Sequence, residues 1–294
     1  MSRVAILLHP SRPEAGALAD QTVRWLEAKG HSARLLRLSE ADDVSEDGRR
    51  GPLSGLRLDG TDVAVSLGGD GTFLRLVPFA HAAGVPVLGV NLGRLGYLLE
   101  VEPETFLDAL ERTLAGATTI EDRCAVEVSA PGGFEPSPGE PTEAGCFVAL
   151  NEIVIEKTVP GHMVHLSTAI DGEPAFTYKA DGVLVATPTG STAYNLSAGG
   201  PVVAPELRAI ILTPVAPHLS MDRSIVLHPD HSLTVTVLGE RPAGMVLDGR
   251  QVGRLLPGTE VTCRVAATPV RVISLGERGF ARRLRTTLSP ARNS

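Results

Sequence analysis

Apolar and polar positions follow two rhythms along the chain, and the change falls near residue 119. Up to that point short apolar runs alternate with stretches of helical spacing. VAILL at 4–8 predicts a buried strand, and 14–29 predicts an amphipathic helix ended by Gly30. SARLLRL at 32–38 and DVAVSL at 62–67 predict two further strands. A helix from Thr72 follows, kinked or shortened at Pro78. VPVLGV at 85–90 predicts a fourth strand, and PETFLDALERTLAG at 103–116 a capped helix stopped by Gly116. Strands alternating with helices predict an α/β domain built on a parallel sheet.

From about 119 to 276 the apolar runs are short and strand-like: CAVEVSA, CFVALNEIVIEK, MVHLSTAID, GVLVATP, SLTVTVL, EVTCRVA and PVRVISL. Helical spacing is nearly absent there, which predicts an all-β domain. Two polar stretches, 39–55 and 131–145, are expected to be flexible loops, the second a mobile hairpin loop. Phe280, Leu284 and Leu288 recur every four residues with Arg282, Arg283 and Arg285 between them. That stripe predicts an amphipathic helix that returns to the α/β domain. The expected division is 1–118 plus 277–294 for the α/β domain and 119–276 for the all-β domain.

Composition narrows the function classes. Of 294 residues 43% are hydrophobic and 21% charged, which fits a globular protein with a sizeable core. Only 4% are aromatic, so the core rests on Val, Leu, Ile and Ala. A net charge of −7 argues against a nucleic-acid surface or a polybasic membrane anchor. Anionic small molecules remain open, because a few local cations and backbone N–H groups suffice to bind them. Cys124, Cys146 and Cys263 form no CxxC or Cys/His cluster, so neither a disulfide framework nor a structural zinc site is indicated. No stretch approaches the ~18 apolar residues of a membrane span, and the expected location is cytoplasmic.

The stretch VSLGGDGTFLRL at 65–76 sets the chemical question. Its G-G and D-G pairs suit a hairpin turn, but a helical pattern follows rather than a strand. A strand–glycine–helix junction is where an α/β sheet binds phosphate, because glycines allow close backbone approach and the helix start supplies N–H groups. A carboxylate there would repel phosphate unless it accepts a proton from an attacking hydroxyl or helps hold a metal ion. The chain has neither a P-loop GxxxxGK[ST] nor the protein-kinase motif set. The loop type is shared by NAD kinases, diacylglycerol-type lipid kinases and 6-phosphofructokinases.

Three more stretches discriminate among these: GVNLGRLGYLLEVEPE at 89–104, NEIVIEK at 151–157 and KADGVLVATPTGSTAYNLSAGGPVVAP at 179–205. With GGDGT, and in this order, they resemble the NAD kinase family over nearly the whole chain, the two polar loops apart. The resemblance implies a Rossmann-like first domain and an all-β dinucleotide-binding domain. It implies that Asp70 is the proton acceptor for the 2′-hydroxyl of the adenosine ribose, with Gly71 beside it against the dinucleotide. Arg75 matches a common basic position, against the alternative of a solvated surface arginine. Asn151 and Glu152 match a pair that binds ribose and base. Lys179 stands where many members have Arg, and Asp181 matches an aspartate on the nicotinamide-riboside side. Thr192, Ala193, Tyr194, Asn195, Leu196 and Ser197 match the dinucleotide-binding run, although Tyr194 would also suit a core. His162 and Gln251 align with positions that touch ligand in some members. Ser224 stands where an Arg-Pro pair is usual, a departure that removes no catalytic group.

The resemblance further implies phosphoryl transfer to NAD from ATP or inorganic polyphosphate, with a divalent cation such as Mg²⁺, and a homodimer or homotetramer. Small molecules, not nucleic acid or membrane, are the expected partners. Two alternatives stand beside it: another small-alcohol kinase of the same superfamily, and a non-catalytic NAD(P)-binding sensor.

Overall fold

The structure, a computed structural model, describes residues 1–37, 56–93, 96–138, 140, 146–276 and 279–288. The polar stretch 39–55 lies outside the described residues, as do 139 and 141–145 of the second expected loop and the Leu288 side chain of the terminal stripe.

Two compact units emerge. The first draws its described residues from Met1–Asp43, Gly55–Asp122 and Val270–Ser294, the second from Arg123–Pro269. The first begins with β1 (Arg3–Leu8), α1 (Pro13–Ala28), β2 (Ser32–Arg37), β3 (Val63–Gly68), α2 (Asp70–Ala83), β4 (Val87–Asn91), α3 (Phe106–Leu114) and β5 (Thr119–Arg123). The chain then passes through β6 (Val126–Ser129), β7 (Phe134–Pro136), β8 (Cys146–Ala149), β9 (Glu152–Lys157), β10 (Val164–Ile170), β11 (Glu173–Ala180) and β12 (Gly182–Ala186). After the short helix α4 (Tyr194–Ser197) come β13 (Ile210–Val215), β14 (Ile225–Leu227), β15 (Leu233–Leu238), β16 (Ala243–Leu247), β17 (Arg250–Leu255) and β18 (Glu260–Val265). Last come β19 (Val270–Ser274) and α5 (Phe280–Leu288).

The first unit is an α/β domain on a six-stranded sheet in the order β2-β1-β3-β4-β19-β5. Its β1–β2, β1–β3, β3–β4 and β4–β19 pairings are all parallel. Burial of β1 from Val4 onward and of β3 throughout explains why VAILL reads as an apolar run and VAVSLG as one broken only by the buried Ser66. Strand order reverses between β1 and β3, a switch point of the kind where open α/β sheets bind ligands beyond their carboxyl ends. The loop after β3 is the glycine turn.

Three expectations change here. Helix α2 starts at Asp70 rather than Thr72 and runs through Pro78 to Ala83, so it is not shortened. Phe73, Leu76, Val77 and Ala80 are buried along it, and that burial outweighs the backbone bond that proline cannot donate. The PVRVISL run is β19 of the first sheet, not part of the all-β domain, and the polar TIEDR segment adds β5 to the same sheet. Neither segment announces its sheet, since one apolar run fits either unit and an edge strand tolerates polar residues.

The second unit is all-β. One sheet has the order β11-β10-β15-β18-β6-β8 and the other β14-β13-β12-β9-β16-β17-β7. Their assigned pairings are antiparallel, and a core of Ile153, Ile155, Val183, Val185, Leu166, Val235 and Val261 draws on both sheets. Alternate residues of β9 and β12, Val154, Leu184 and Ala186, form a second cluster with Ile211, Ala198 and Val203. The stretch expected as a hairpin loop contains β7, which pairs with β17 through Phe134, Glu135 and Pro136. CFVALNEIVIEK is not one strand: β8 belongs to the first of these sheets and β9 to the second, with Leu150 and Asn151 at the crossing.

Candidate functional site

In the first unit, β3 delivers the chain to Gly69, the N-cap of α2 in extended conformation, and Asp70 is the first helical residue. The helix start favours a negative charge there. Asp70 Oδ2 accepts hydrogen bonds from the N–H groups of Tyr97, at 2.9 Å, and Leu98, at 3.4 Å. An ideal Cβ at Gly96 would fall 2.6 Å from Asp70 Cγ, so any side chain at 96 would displace the carboxylate. Gly96, Tyr97 and Leu98 therefore serve Asp70, a link between two motifs that gives no signal in either alone. Arg75, farther along α2, is 6% exposed, which rules out the solvated surface arginine.

The second unit gathers another set at one end of three neighbouring strands. Glu152 opens β9, opposite Ala186 at the end of β12, while Ile153 is opposite Leu247 at the end of β16. Asn151 and Glu152 are both buried. Asn151 Oδ1 and Glu152 Oε2 are enclosed with no hydrogen-bond partner among the described residues. Such orphans cost about 1–3 kcal/mol each, which points to a polar ligand. Burial, followed by the neighbouring Asp248 charge, pushes the Glu152 carboxyl up to about 8, and the Tyr194 backbone N–H opposes that shift.

The segment after β12 folds around this turn. Thr187 donates its N–H to Asn151 O at 2.8 Å and its hydroxyl to Leu150 O at 2.5 Å. Gly190 is packed so tightly that an ideal Cβ would fall 2.6 Å from Asn151 Cα. A 3₁₀ turn at Thr189–Thr192 leads into α4. Asn195, fully buried, donates through Nδ2 to Ser191 O at 3.1 Å and Pro201 O at 3.0 Å. Its Oδ1 accepts from the Thr213 hydroxyl at 2.7 Å, and Thr213 also meets Ser224 Oγ at 2.8 Å. Both Asn195 donors are thus used within the protein, so this member of the expected binding run shapes the segment. Thr192, Ala193 and Leu196 are partly buried, and Ser197 is exposed.

A cavity of about 330 Å³ is lined by Val154, Glu156, Lys157, Asp181, Gly182 and Tyr194, among others. Lys157 and Asp181 form an ion pair at 2.5 Å. The Tyr194 phenol is raised by burial first, then by the charges of Glu156, Asp181 and Glu152, with Lys157 opposing. The ring is 39% exposed, so it is not the core tyrosine that its apolar surroundings also suited.

The remaining expected residues are more scattered. Lys179 is exposed on β11, opposite His165. His162 is exposed and lies 2.8 Å from Arg241. Gln251 is partly buried near the start of β17, three residues beyond Asp248. Asp248 itself was not anticipated, because D-G inside LDGRQ reads as a turn and nothing more. Among the described residues no group of three His, Cys, Asp or Glu side chains is placed to hold a metal ion. No helix among them is long and apolar enough to cross a membrane.

Residues 52–118 match the family model described as ATP-NAD kinase N-terminal domain, and residues 150–275 match ATP-NAD kinase C-terminal domain. A protein named NAD kinase from Heliobacterium modesticaldum is 38% identical, covering 99% of this chain and 100% of that protein. NAD kinase 2 from Streptomyces coelicolor is also 38% identical, covering 96% of this chain and 92% of that one. Among solved structures, an NAD kinase from Archaeoglobus fulgidus in complex with ATP aligns with a TM-score of 0.72 at 25% identity, over 98% of this chain and 97% of that one. Yeast NADH kinase complexed with NADH shares the fold, with a TM-score of 0.82 at 24% identity over 100% of this chain and 90% of the other.

Proposed function

Since the chain belongs to the NAD kinase family, we propose that Asp70 is the general base for phosphoryl transfer from ATP, or from inorganic polyphosphate, to the adenosine-ribose 2′-hydroxyl of NAD. A ribose hydroxyl is a weak nucleophile near neutral pH. As its oxygen bonds to the terminal phosphorus, its proton passes to the Asp70 carboxylate and the bond to the leaving phosphate breaks. The products are NADP and the shortened donor. Base assistance of this kind contributes ~10²–10⁴-fold in rate.

The observation that carries this reading is the seating of Asp70. Its carboxylate lies at the first turn of α2, held through one oxygen by two backbone N–H groups, with Gly96 leaving room for it. A turn residue would need none of this support.

Asn151 and Glu152, with their buried acceptors, are proposed to hold the ribose and base. Tyr194, Asp181 and the 192–197 segment are proposed to face the rest of the dinucleotide. Arg75 and Lys179 offset phosphate charge in the same proposal, while Gly71, His162 and Gln251 are contacts of lesser weight. A divalent cation would neutralise donor phosphate charge. No cluster of the described residues fits it, so no side chain is assigned to it and no step is derived through it. A cytoplasmic homodimer or homotetramer completes the proposal.

The test is NADP formation with ATP and with polyphosphate, beside Asp70→Asn. The Asn variant is expected to bind NAD normally and to turn over ~10²–10⁴ times more slowly. Full turnover would remove Asp70 from the chemistry, and absence of any NADP from the parent would favour a non-catalytic sensor.

A further inference from the structure

The tight hairpin joining β16 to β17 carries a carboxylate with an unusual set of partners. Asp248 Oδ1 accepts the N–H of Asn151 at 2.7 Å and of Glu152 at 3.1 Å, and Oδ2 accepts the N–H of Leu150 at 2.9 Å. Asp248 donates its own N–H to Glu152 O at 3.0 Å. One buried side chain thus gathers three consecutive backbone donors from a segment about a hundred residues earlier in sequence.

These donors have a reason to need it. At Leu150 and Asn151 the chain leaves one sheet for the other, so the ladders that would otherwise use their N–H groups are interrupted. Turn formation does not require the charge. Asp248 and Gly249 have φ of 48° and 76°, a two-residue hairpin loop in which asparagine serves equally well. A turn-former would not place a buried carboxylate beside Glu152, another buried carboxyl, where charge on both is costly.

We propose that Asp248 is a positioning residue, clamping the Leu150–Glu152 backbone so that the Asn151 and Glu152 side chains are held in the conformation that binds the dinucleotide. This rests on the assignment of Asn151 and Glu152 to dinucleotide binding made above. The clamp also has an electrostatic side. The groups facing Glu152 are the Asp248 carboxylate, which favours its neutral form, and Tyr194, whose backbone N–H favours its charged form. Neutral Glu152 offers a ribose a donor as well as acceptors, which an ionised carboxylate cannot do.

Asp248→Asn and Asp248→Gly, made in the full chain, test the clamp. Asparagine keeps the turn and one acceptor oxygen, but it sets an amide against the Leu150 N–H and removes the charge. Glycine keeps the turn alone. Calorimetry of NAD binding should show Kd about tenfold higher in the Asn variant and higher still in the Gly variant, with kcat at saturating NAD within about threefold of the parent. The pH midpoint of NAD binding that Glu152→Gln abolishes should move downward in the Asn variant. An unchanged Kd and an unmoved midpoint in folded Asp248→Asn would overturn the proposal, whatever happens to Tm. If the Gly variant fails to fold, the Asn variant alone decides. A parent that binds NAD but makes no NADP fails the kinase assignment and leaves this one standing. A parent that binds no NAD overturns both.

Discussion

Gly96 and Asp70 are in direct apposition: the space a side chain would take at 96 is already filled by the Asp70 carboxylate. Gly96→Ala should therefore push the base out of register without touching its chemistry. A displacement near 1 Å costs ~10²-fold in turnover, while the NAD dissociation constant should stay within about twofold. Steady-state NADP formation beside calorimetric binding separates the two. Equal turnover in the Ala variant would mean that the loop yields and that Asp70 needs no such confinement.

Glu152 should leave a mark on stability. Its folded value, about 8, lies above its ordinary 4.5, so the folded state holds a proton that the unfolded chain releases. The native state then binds more protons throughout that window, and stability falls as pH rises from about 4.5 through 8. Thermal unfolding of the ligand-free parent from pH 5 to 8.5 should show Tm dropping relative to Glu152→Gln, which has no proton to lose there. Parallel curves for the two proteins would contradict the assignment.

Asn195 should matter to stability before it matters to ligand. Asn195→Ala removes the donors to the Ser191 and Pro201 carbonyls and leaves the Thr213 hydroxyl with Ser224 alone, at a cost of about 2–3 kcal/mol. Urea unfolding measures this loss. A variant as stable as the parent would show that these bonds are readily replaced by water.

Arg75 and Lys179 should part company in salt. Each change to Ala is expected to raise an apparent KM about tenfold at low ionic strength, as for a charge-assisted contact. Lys179 is exposed, so its effect should fade by 0.5 M salt, where the screening length is only about 4 Å. Arg75 is buried, so its effect should persist. Unchanged kinetics in both variants would make them ordinary structural cations.

Periodicity exposed most of the architecture because the segments it relies on are buried in ways that leave a pattern. VAILL is apolar throughout, and the β3 part of DVAVSL nearly so, because β1 from Val4 onward and β3 are covered on both faces. Segments whose burial is partial were harder to see. EPAFTYKA reads as mixed although it forms β11, and the Pro- and Gly-rich stretch around Phe134 conceals β7. The same logic applies to the site. Asp70 was legible because a carboxylate in a phosphate-type loop asks for a reason. Asp248 was not, because its partners are backbone N–H groups distant in sequence, and backbone donors leave no trace in residue identity.

The place of β19 in the first sheet has a consequence for how the protein is made. Among the described residues β5 joins that sheet through β19, and β19 follows every other strand in the chain. A nascent chain stopped before Val270 can pair β1 with β2 and β3, and β3 with β4, and can bridge Val90 to Val101, yet β5 lacks its described neighbour and the Val87 end of the outer edge of β4 lacks β19. An open edge is a template for other strands. The ribosome-bound protein thus carries an unfinished sheet while every residue of the second unit emerges, an interval in which a chaperone, or a stray strand, can claim that edge.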